Sequence, residues 1–165
     1  MEGQPVLFEF GILRILDCGF AINEQVDIVE NEPVNIGYGM NFVYNSSENW
    51  VEFVVKAEYR DIKTQAMFIS GSTLTRFNVI NMSRYLDENK QVIFPETSLE
   101  TLFGIAFGHM RAILSKNVTG SKYGNIVVPP IDPISLFNDL LKMQIEQLKE
   151  MLKKQNETKD QETKV

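Results

Sequence analysis

The most constraining feature of the sequence is a long apolar segment without charge through its middle. Residues 101–110 contain no Asp, Glu, Lys or Arg, and the preceding Phe94-Pro95 predicts a helix start just after it. At 100° per residue the helix presents one apolar stripe and a second, weakly polar stripe beside it. The first stripe is Leu99, Phe103, Ala106, Met110 and Ile113, and the second is Leu102, Ile105, His109 and Ala112. One sheet covers only one stripe, so the second must meet another surface.

The composition is that of a globular protein with a sizeable core. With 165 residues, of which 44% are hydrophobic and 23% charged, the chain fits one domain. No run approaches the roughly 20 apolar residues of a membrane helix, and residues 1–5 lack the basic region of a secretory signal. Cys18 is the only cysteine, so an internal disulfide framework is excluded. We therefore expect a cytoplasmic protein.

The charge balance argues against two classes of partner. Sixteen basic and twenty-two acidic residues give a formal net charge of −6. A negative chain is repelled by phosphate polymers and by anionic lipid surfaces. We therefore expect neither a nucleic acid nor a membrane as a partner.

The hydrophobic pattern predicts strands first and helices second, which is typical of an α+β fold. Four segments alternate apolar and polar residues, namely 6–22, 36–44, 51–60 and 65–80. Their short connections favour a four-stranded antiparallel sheet of meander or Greek-key type, packed with two helices. In the first strand, alternation assigns one apolar face to Phe8, Phe10, Ile12, Leu16, Cys18, Phe20 and Ile22, with Gly11 and Gly19 as expected bulge or bend positions.

A second helix is predicted after the proline-rich stretch that ends the first. Asp132 is a good N-cap and Pro133 a good first helical residue. Apolar residues then recur at helical spacing: Ile134, Phe137, Leu141, Ile145, Leu148 and Leu152. Residues 153–165 are polar except for the last, which predicts a solvated, frayed tail. We expect one domain over residues 1–152, followed by that tail.

The sequence contains no pattern typical of a catalytic or metal site. His109 is the only histidine, so a multi-histidine metal site is excluded. Cys18 and His109 could form a thiol–imidazole pair, but both fall at apolar positions, which favours buried structural roles. Gly37-Tyr38-Gly39 lacks the third glycine and the following helix of a dinucleotide loop. We expect neither an enzyme nor a cofactor.

The surplus of apolar surface predicts self-association. A monomer of four strands and two helices buries one sheet face and one stripe of each helix, so a second stripe indicates a like partner. We assign Leu102, Ile105, His109 and Ala112 to that subunit contact. The alternative is that the C-terminal helix and the proline-rich loop cover both stripes within the monomer.

The order of elements and several short motifs resemble the SecB family of export chaperones over about residues 10–143. Leu13-Arg14-Ile15 followed by Phe20-Ala21 is similar to the family's first strand, and residues 66–77 match a strand that ends in a family phenylalanine. Residues 91–95, QVIFP, resemble the segment that introduces the first helix, and residues 129–132 with Leu136-Phe137 resemble the turn before the last helix. The stretch between these two motifs is longer here, and Pro133 replaces an aromatic residue.

This resemblance implies an ATP-independent chaperone, assembled as a homotetrameric dimer of dimers, that holds unfolded polypeptides in hydrophobic channels. The clients would be preproteins for export through the Sec pathway, with the translocase motor SecA as a further partner. The residues expected to line the client groove are Phe77, Tyr123, Ile126, Val128, Pro129 and Leu136, with Tyr38, Met40, Phe42 and Tyr44 as further wall residues.

Two other functions stay open. The third predicted strand mixes charges of both signs and the tail is rich in Lys, Glu and Gln, which departs from family members that dock on SecA. A chaperone dedicated to one partner, such as an antitoxin, is therefore one alternative. The other is an oligomeric scaffold or adaptor that uses all its apolar stripes in assembly and holds no client.

Overall fold

Four antiparallel strands and a long helix make up the first part of the chain. The computed structural model describes residues 8–28, 33–89, 91–126 and 128–162. The elements are β1 (Phe10–Ile22), β2 (Val34–Asn45), β3 (Trp50–Asp61), β4 (Met67–Val79), a 3-10 turn at Met82–Tyr85, α1 (Glu96–Val118) and α2 (Pro133–Glu162). The predicted α+β class, with a four-stranded antiparallel sheet and two helices, is confirmed.

The chain divides into two compact units, Met1–Pro130 and Ile131–Val165, and we describe each by itself. The first unit holds the sheet and α1, and the second holds α2. Whether the whole chain behaves as the single domain expected from the sequence stays a prediction.

The sheet has the strand order β1-β4-β3-β2, and every neighbouring pair is antiparallel. Strands β2, β3 and β4 form a meander, and β1 lies beside β4, which gives the order of a Greek key. Among the described residues β1 and β2 are therefore the two edges of the sheet. Each edge strand offers one side of its backbone to further pairing.

One face of the sheet packs against α1, which contacts β1, β3 and β4. We call it the helix face and the opposite side the open face. The helix-face side chains of the two central strands are buried. They are Val51, Phe53, Val55, Ala57, Tyr59, Thr75, Phe77 and Val79. The ring of Phe103 in α1 lies 6.1 Å from that of Phe53. The alternation predicted for β3 follows from this arrangement, since every second residue meets α1.

Strand β1 departs from the alternation predicted for it. Its register with β4 shifts twice, between Ile12 and Arg14 and between Asp17 and Gly19. Each shift adds a residue without a direct partner and moves the side chains that follow to the other face. Two bulges therefore divide β1 into three short segments of opposite phase.

The bulges correct the predicted placement of two apolar residues. Leu16 pairs with Leu74 on the open face, whereas Ile15 pairs with Thr75 on the helix face. Cys18 falls at the second bulge and is exposed. The prediction that Leu16 and Cys18 share a buried face with Ile12 was therefore wrong.

Helix α2 begins as the sequence predicted. The carboxylate of Asp132 accepts hydrogen bonds from the backbone N–H of Ile134 at 3.2 Å, and from the backbone N–H and hydroxyl of Ser135 at 3.3 and 2.6 Å. These bonds stabilise the charged form, so they lower the pKa of Asp132. The helix continues to Glu162, beyond residue 153 where we expected fraying. No helix in the described ranges has both the length and the apolar character that a bilayer crossing requires.

Candidate functional site

Four of the predicted client residues form a continuous row along the edge strand β2. Tyr38, Met40, Phe42 and Tyr44 all pair with helix-face residues of β3. The ring of Tyr38 lies 5.6 Å from that of Phe107 in α1. Burial decreases from Met40, which is 9% exposed, to Tyr44, which is 43% exposed, whereas Tyr38 before them is half-buried. The four residues, called the β2 row below, thus run from the core to the surface.

The inner end of the β2 row is tied to the core by aromatic contacts. Phe42 lies 5.0 Å from the ring of Phe53 and 6.2 Å from that of Tyr44, measured between centroids. Phe42 and Tyr38 are half-buried. A ligand that covers the outer end would therefore extend the aromatic core of the sheet.

Two tyrosine hydroxyls near this row are buried without a hydrogen-bond partner among the described residues. They belong to Tyr38 and Tyr59. Burial raises the pKa of both phenols, although the Arg111 charge acts in the opposite direction. Both side chains therefore stay neutral at physiological pH. An unsatisfied buried hydroxyl costs about 1–3 kcal/mol.

We expect Tyr59→Phe to raise the free energy of unfolding by about 1 kcal/mol, because it removes a buried hydroxyl that has no partner and keeps the ring. Urea unfolding monitored by circular dichroism measures the change. Tyr123→Phe is the matched control, because its hydroxyl is hydrogen-bonded, and it should be destabilising. A clear loss of stability in Tyr59→Phe would contradict the expectation.

Phe77 is fully buried, so the single chain does not offer it to a client. Its ring packs edge-on against Phe10 at 5.8 Å and Phe53 at 6.5 Å. The register explains this position, since Phe77 pairs with Val51 on the helix face. Sequence alternation could not decide between a core aromatic and a groove aromatic.

Tyr123 is also used inside the protein. Its ring lies 4.9 Å from that of Phe68, and its hydroxyl lies 2.7 and 2.5 Å from the carbonyl oxygens of Asn23 and Val26. The neighbouring Lys122 ammonium pairs with the Asp27 carboxylate at 3.0 Å. These contacts hold the loop after α1 against the segment after β1. Tyr123 is therefore an anchor between loops in this structure, and its place in a client groove stays a prediction.

The other predicted groove residues do not join the β2 row. Val128 is buried, and its carbonyl oxygen accepts a hydrogen bond from the Arg111 guanidinium at 3.2 Å. Ile126 and Pro129 are half-buried in the same loop. Leu136 is half-buried in α2, which belongs to the second unit. Among the predicted client residues in the described part of the first unit, the β2 row forms one surface.

A cavity of about 300 Å³ lies beside α1. Its walls are Gly108, Arg111, Ala112, Ser115 and Val128. Four of these residues are on one side of the helix, at the spacing of successive turns. The cavity therefore connects the predicted subunit stripe, through Ala112, with the predicted groove, through Val128.

The predicted subunit stripe turns inward at its start. Leu102 is fully buried, Ile105 and His109 are half-buried, and only Ala112 is exposed. A Leu102→Glu substitution would therefore bury a charge, and it would test folding and not subunit contact. The physical reason is that α1 lies across three strands, β1, β4 and β3, and buries an arc wider than one stripe.

The outward side of α1 carries small residues that the sequence analysis did not single out. Gly108, Ala112 and Ser115 are exposed, and Gly104 is half-buried one turn earlier. A side chain added at Gly108 would meet open space. The spacing Gly104-x₃-Gly108-x₃-Ala112 was visible in the sequence and could have revealed this face. Small residues allow another element to approach a helix closely.

His109 gives the fold a pH dependence. Its Nδ1 lies 3.1 Å from the Thr75 hydroxyl, and burial lowers its pKa below the usual 6.5. Below pH 6.5 the unfolded chain therefore takes up a proton that the folded chain resists, so the free energy of unfolding should fall as the pH decreases. We expect this decrease to be smaller in His109→Gln, in urea unfolding between pH 5 and 8. Equal slopes in both proteins would contradict the expectation.

The edge strand β1 exposes large apolar side chains that the sequence analysis had placed in the core or left unassigned. Ile12, Leu13, Ile15 and Leu16 are 40% to 57% exposed. The two bulges distribute them over both faces, as the register shows. A long apolar edge of this kind favours pairing with another chain. It was missed because the prediction expected bulges at Gly11 and Gly19 but did not carry the resulting change of face into the residues between them.

The open face carries paired charges of both signs. The Glu52 carboxylate accepts from Arg76 Nε and Nη2, both at 2.7 Å, and the Arg76 guanidinium lies 4.0 Å from the centre of the Trp50 ring. Glu58 pairs with Lys56 at 2.5 Å and with Arg60 at 2.9 Å, and these bonds lower its pKa. The carboxylates of β3 on this face are therefore neutralised locally and form no acidic patch.

Within the part of the chain that the structure describes, no three His, Cys, Asp or Glu side chains cluster as metal ligands. His109 bonds to Thr75, and the Cys18 thiol lies 3.8 Å from the Leu16 carbonyl oxygen.

Comparison with known proteins gives several similar solved structures, two of which are as follows. No protein-family model matches the chain, and no curated protein matches it. One structure is Rv1957 of Mycobacterium tuberculosis, a SecB-like chaperone in complex with a ChAD peptide from the Rv1956 HigA1 antitoxin. The two sequences are 7% identical, the match covers 76% of this chain and 88% of that chain, and the TM-score is 0.46. The other is a protein of unknown function from Streptococcus agalactiae, with 8% identity, coverage of 70% and 92%, and a TM-score of 0.33. Both similarities are low, so we draw the function from the surfaces of this chain.

Proposed function

We propose that the protein is an ATP-independent chaperone that holds unfolded polypeptides. The observation that carries this proposal is that the sheet exposes large apolar side chains on both of its edge strands. On β1 they are the four aliphatic residues 12, 13, 15 and 16, and on β2 they are Val43 and Tyr44. Stable monomeric proteins protect such edges with charge, proline or a covering element.

The two edges suit different occupants. The β1 edge carries bulky aliphatic residues on both faces, which need permanent cover, so we assign it to a second copy of the chain. Together with the small outward face of α1, it supports the expected dimer of dimers. The β2 edge carries graded aromatic burial and polar neighbours, which suits an occupant that comes and goes.

A client would bind along β2 as an added strand. Backbone hydrogen bonds at a sheet edge accept any extended polypeptide, which gives affinity without sequence specificity. Gly37 and Gly39 leave the open face of this edge without side chains between Asn35 and Asn41, and Gly37 has open space around it. Tyr38, Phe42 and Tyr44 then supply aromatic contact on the other face.

This mode of action requires no chemical step. A surface that binds only the unfolded chain lowers its free concentration, and so slows aggregation, by mass action. Adaptable Met and aromatic side chains, such as Met40 and Phe42, repack around unrelated sequences. This mode of action needs no cofactor. We expect the protein to act in the cytoplasm.

We propose two alternative classes of client. The resemblance stated above supports preproteins for export through the Sec pathway, with transfer to SecA. The open face favours the other alternative, a chaperone dedicated to one partner such as an antitoxin. Its carboxylates Glu52 and Glu58 are neutralised by neighbouring cations, which departs from family members that dock on SecA. Titration with the zinc-domain peptide of SecA separates these alternatives, since only an export chaperone should bind it.

The proposal is tested by aggregation of a chemically unfolded client after dilution into buffer, followed by light scattering. We expect a stoichiometric amount of the protein to suppress the scattering, and the same client added in its folded form to remain unbound. A scaffold that uses all its apolar surface in assembly would leave aggregation unchanged while it forms a stable oligomer. That result would overturn the chaperone proposal.

A further inference from the structure

Helix α2 carries an exposed apolar stripe that runs along most of its length. Ile134, Leu141, Ile145, Leu148 and Leu152 are 37% to 59% exposed. Their spacings of 7, 4, 3 and 4 residues place them, in chain order, at the d, d, a, d and a positions of a heptad repeat. A repeat of 3.5 residues stays on one side of a helix only if that helix winds around another. We call these five residues the α2 seam.

We infer that the α2 helices of two copies of the chain pair in parallel and in register, as a two-stranded coiled coil over residues 134–152. This contact is independent of the client-binding proposal. It also differs from the subunit contacts expected at β1 and α1, because it lies in the second unit of the chain.

The central residues of the α2 seam favour two strands, whereas Ile134 at a d position and Leu152 at an a position follow the pattern of larger assemblies. Ile145 occupies an a position between Leu141 and Leu148 at d positions, and a β-branched residue at a with leucine at d favours a dimer. Asn138 occupies the preceding a position. One asparagine at an a position specifies register and a two-stranded state, because the two amides meet only when the helices are in register.

The polar side chains that flank the α2 seam select the parallel direction. In a parallel pair Gln144, at a g position, lies beside Lys149 of the other copy, at an e position, and its amide oxygen can accept from that ammonium. An antiparallel pair that overlaps the whole seam instead sets Asn138 against Leu148. It also brings the two copies of Lys142 together, where like charges repel. The polar residues beside the seam therefore fit a second copy in one orientation.

The mass of the full-length protein tests the contact. Leu148→Glu places a charge in the middle of the α2 seam, and we expect it to halve the mass measured by light scattering. Met143→Glu is the matched control, because Met143 is 53% exposed on the same helix but lies outside the seam. It should keep the mass of the unsubstituted protein. If both variants kept the mass of the unsubstituted protein, the inference would be overturned.

Cysteine cross-linking tests the direction without adding a charge. In a Cys18→Ser background, Ile145→Cys should form an intermolecular disulfide on mild oxidation, because equivalent a positions face each other only in a parallel, in-register pair. Met143→Cys should not. No cross-link at position 145 would overturn the proposal. So would a Leu148→Glu variant that keeps its mass and loses only client holding, since the seam would then be a client surface.

Discussion

Phe77→Ala should lower the free energy of unfolding by about 3–5 kcal/mol, the range for truncation of a buried aromatic residue. Phe77 is closed to solvent and lies between the rings of Phe10 and Phe53. The substitution removes the apolar contact and leaves a cavity that the paired strands β3 and β4 cannot close by moving. Urea unfolding followed by circular dichroism measures the change.

Tyr44→Ala is the matched control for Phe77→Ala. It removes an aromatic ring from the same face of the sheet at a position that is exposed, so it should cost less than about 1 kcal/mol. The outcome distinguishes core from groove. If Phe77→Ala kept its stability and lost client holding, Phe77 would be a groove residue, as the sequence resemblance implied.

Tyr44→Glu should weaken client holding about tenfold while the fold is kept. Tyr44 is the exposed end of the β2 row, and covering half of an aromatic side chain is worth about 1 kcal/mol. A carboxylate at that position adds a desolvation penalty when an apolar client covers it. Together these effects correspond to about 1.4 kcal/mol, or one factor of ten in affinity. The concentration that halves client aggregation measures the change.

The control for this prediction is Ile93→Glu, which makes the same change from an apolar residue to a carboxylate away from the sheet. Ile93 is 65% exposed in the segment before α1. It should suppress aggregation as well as the unsubstituted protein does. Equal weakening by both variants would assign the effect to the added negative charge and not to the β2 row.

The sequence predicted the central part of the sheet well because its registers there are simple. The pairing of β2 with β3 is unbroken from Val34 to Asn45, so alternation correctly placed the β2 row on one face. In β1, two bulges reversed the phase, and alternation failed for Leu16 and Cys18. The glycines at positions 11 and 19 indicated bulges, and one of the two shifts lies at Gly19. Which residue loses its partner depends on the pairing with β4, which the sequence of β1 alone does not contain.

The candidate site was predicted in part. The β2 row was named from its spacing, and its aromatic residues do share a surface. Phe77, Tyr123 and Val128 were named from resemblance, and each is buried or bonded within the chain. Spacing can group residues on one face, whereas their exposure depends on what packs against that face.

What the sequence by itself determined is the order of elements, the α+β class, the start of α2 at Asp132 and the existence of more apolar surface than one small sheet can bury. These properties follow from local periodicity and capping, which neighbouring residues decide among themselves. Only the tertiary structure decided where that surplus lies: on the bulged β1 edge, along the β2 row and away from Leu102. Burial is a property of contacts between residues far apart in the chain, so it became known only when α1 was placed across the sheet.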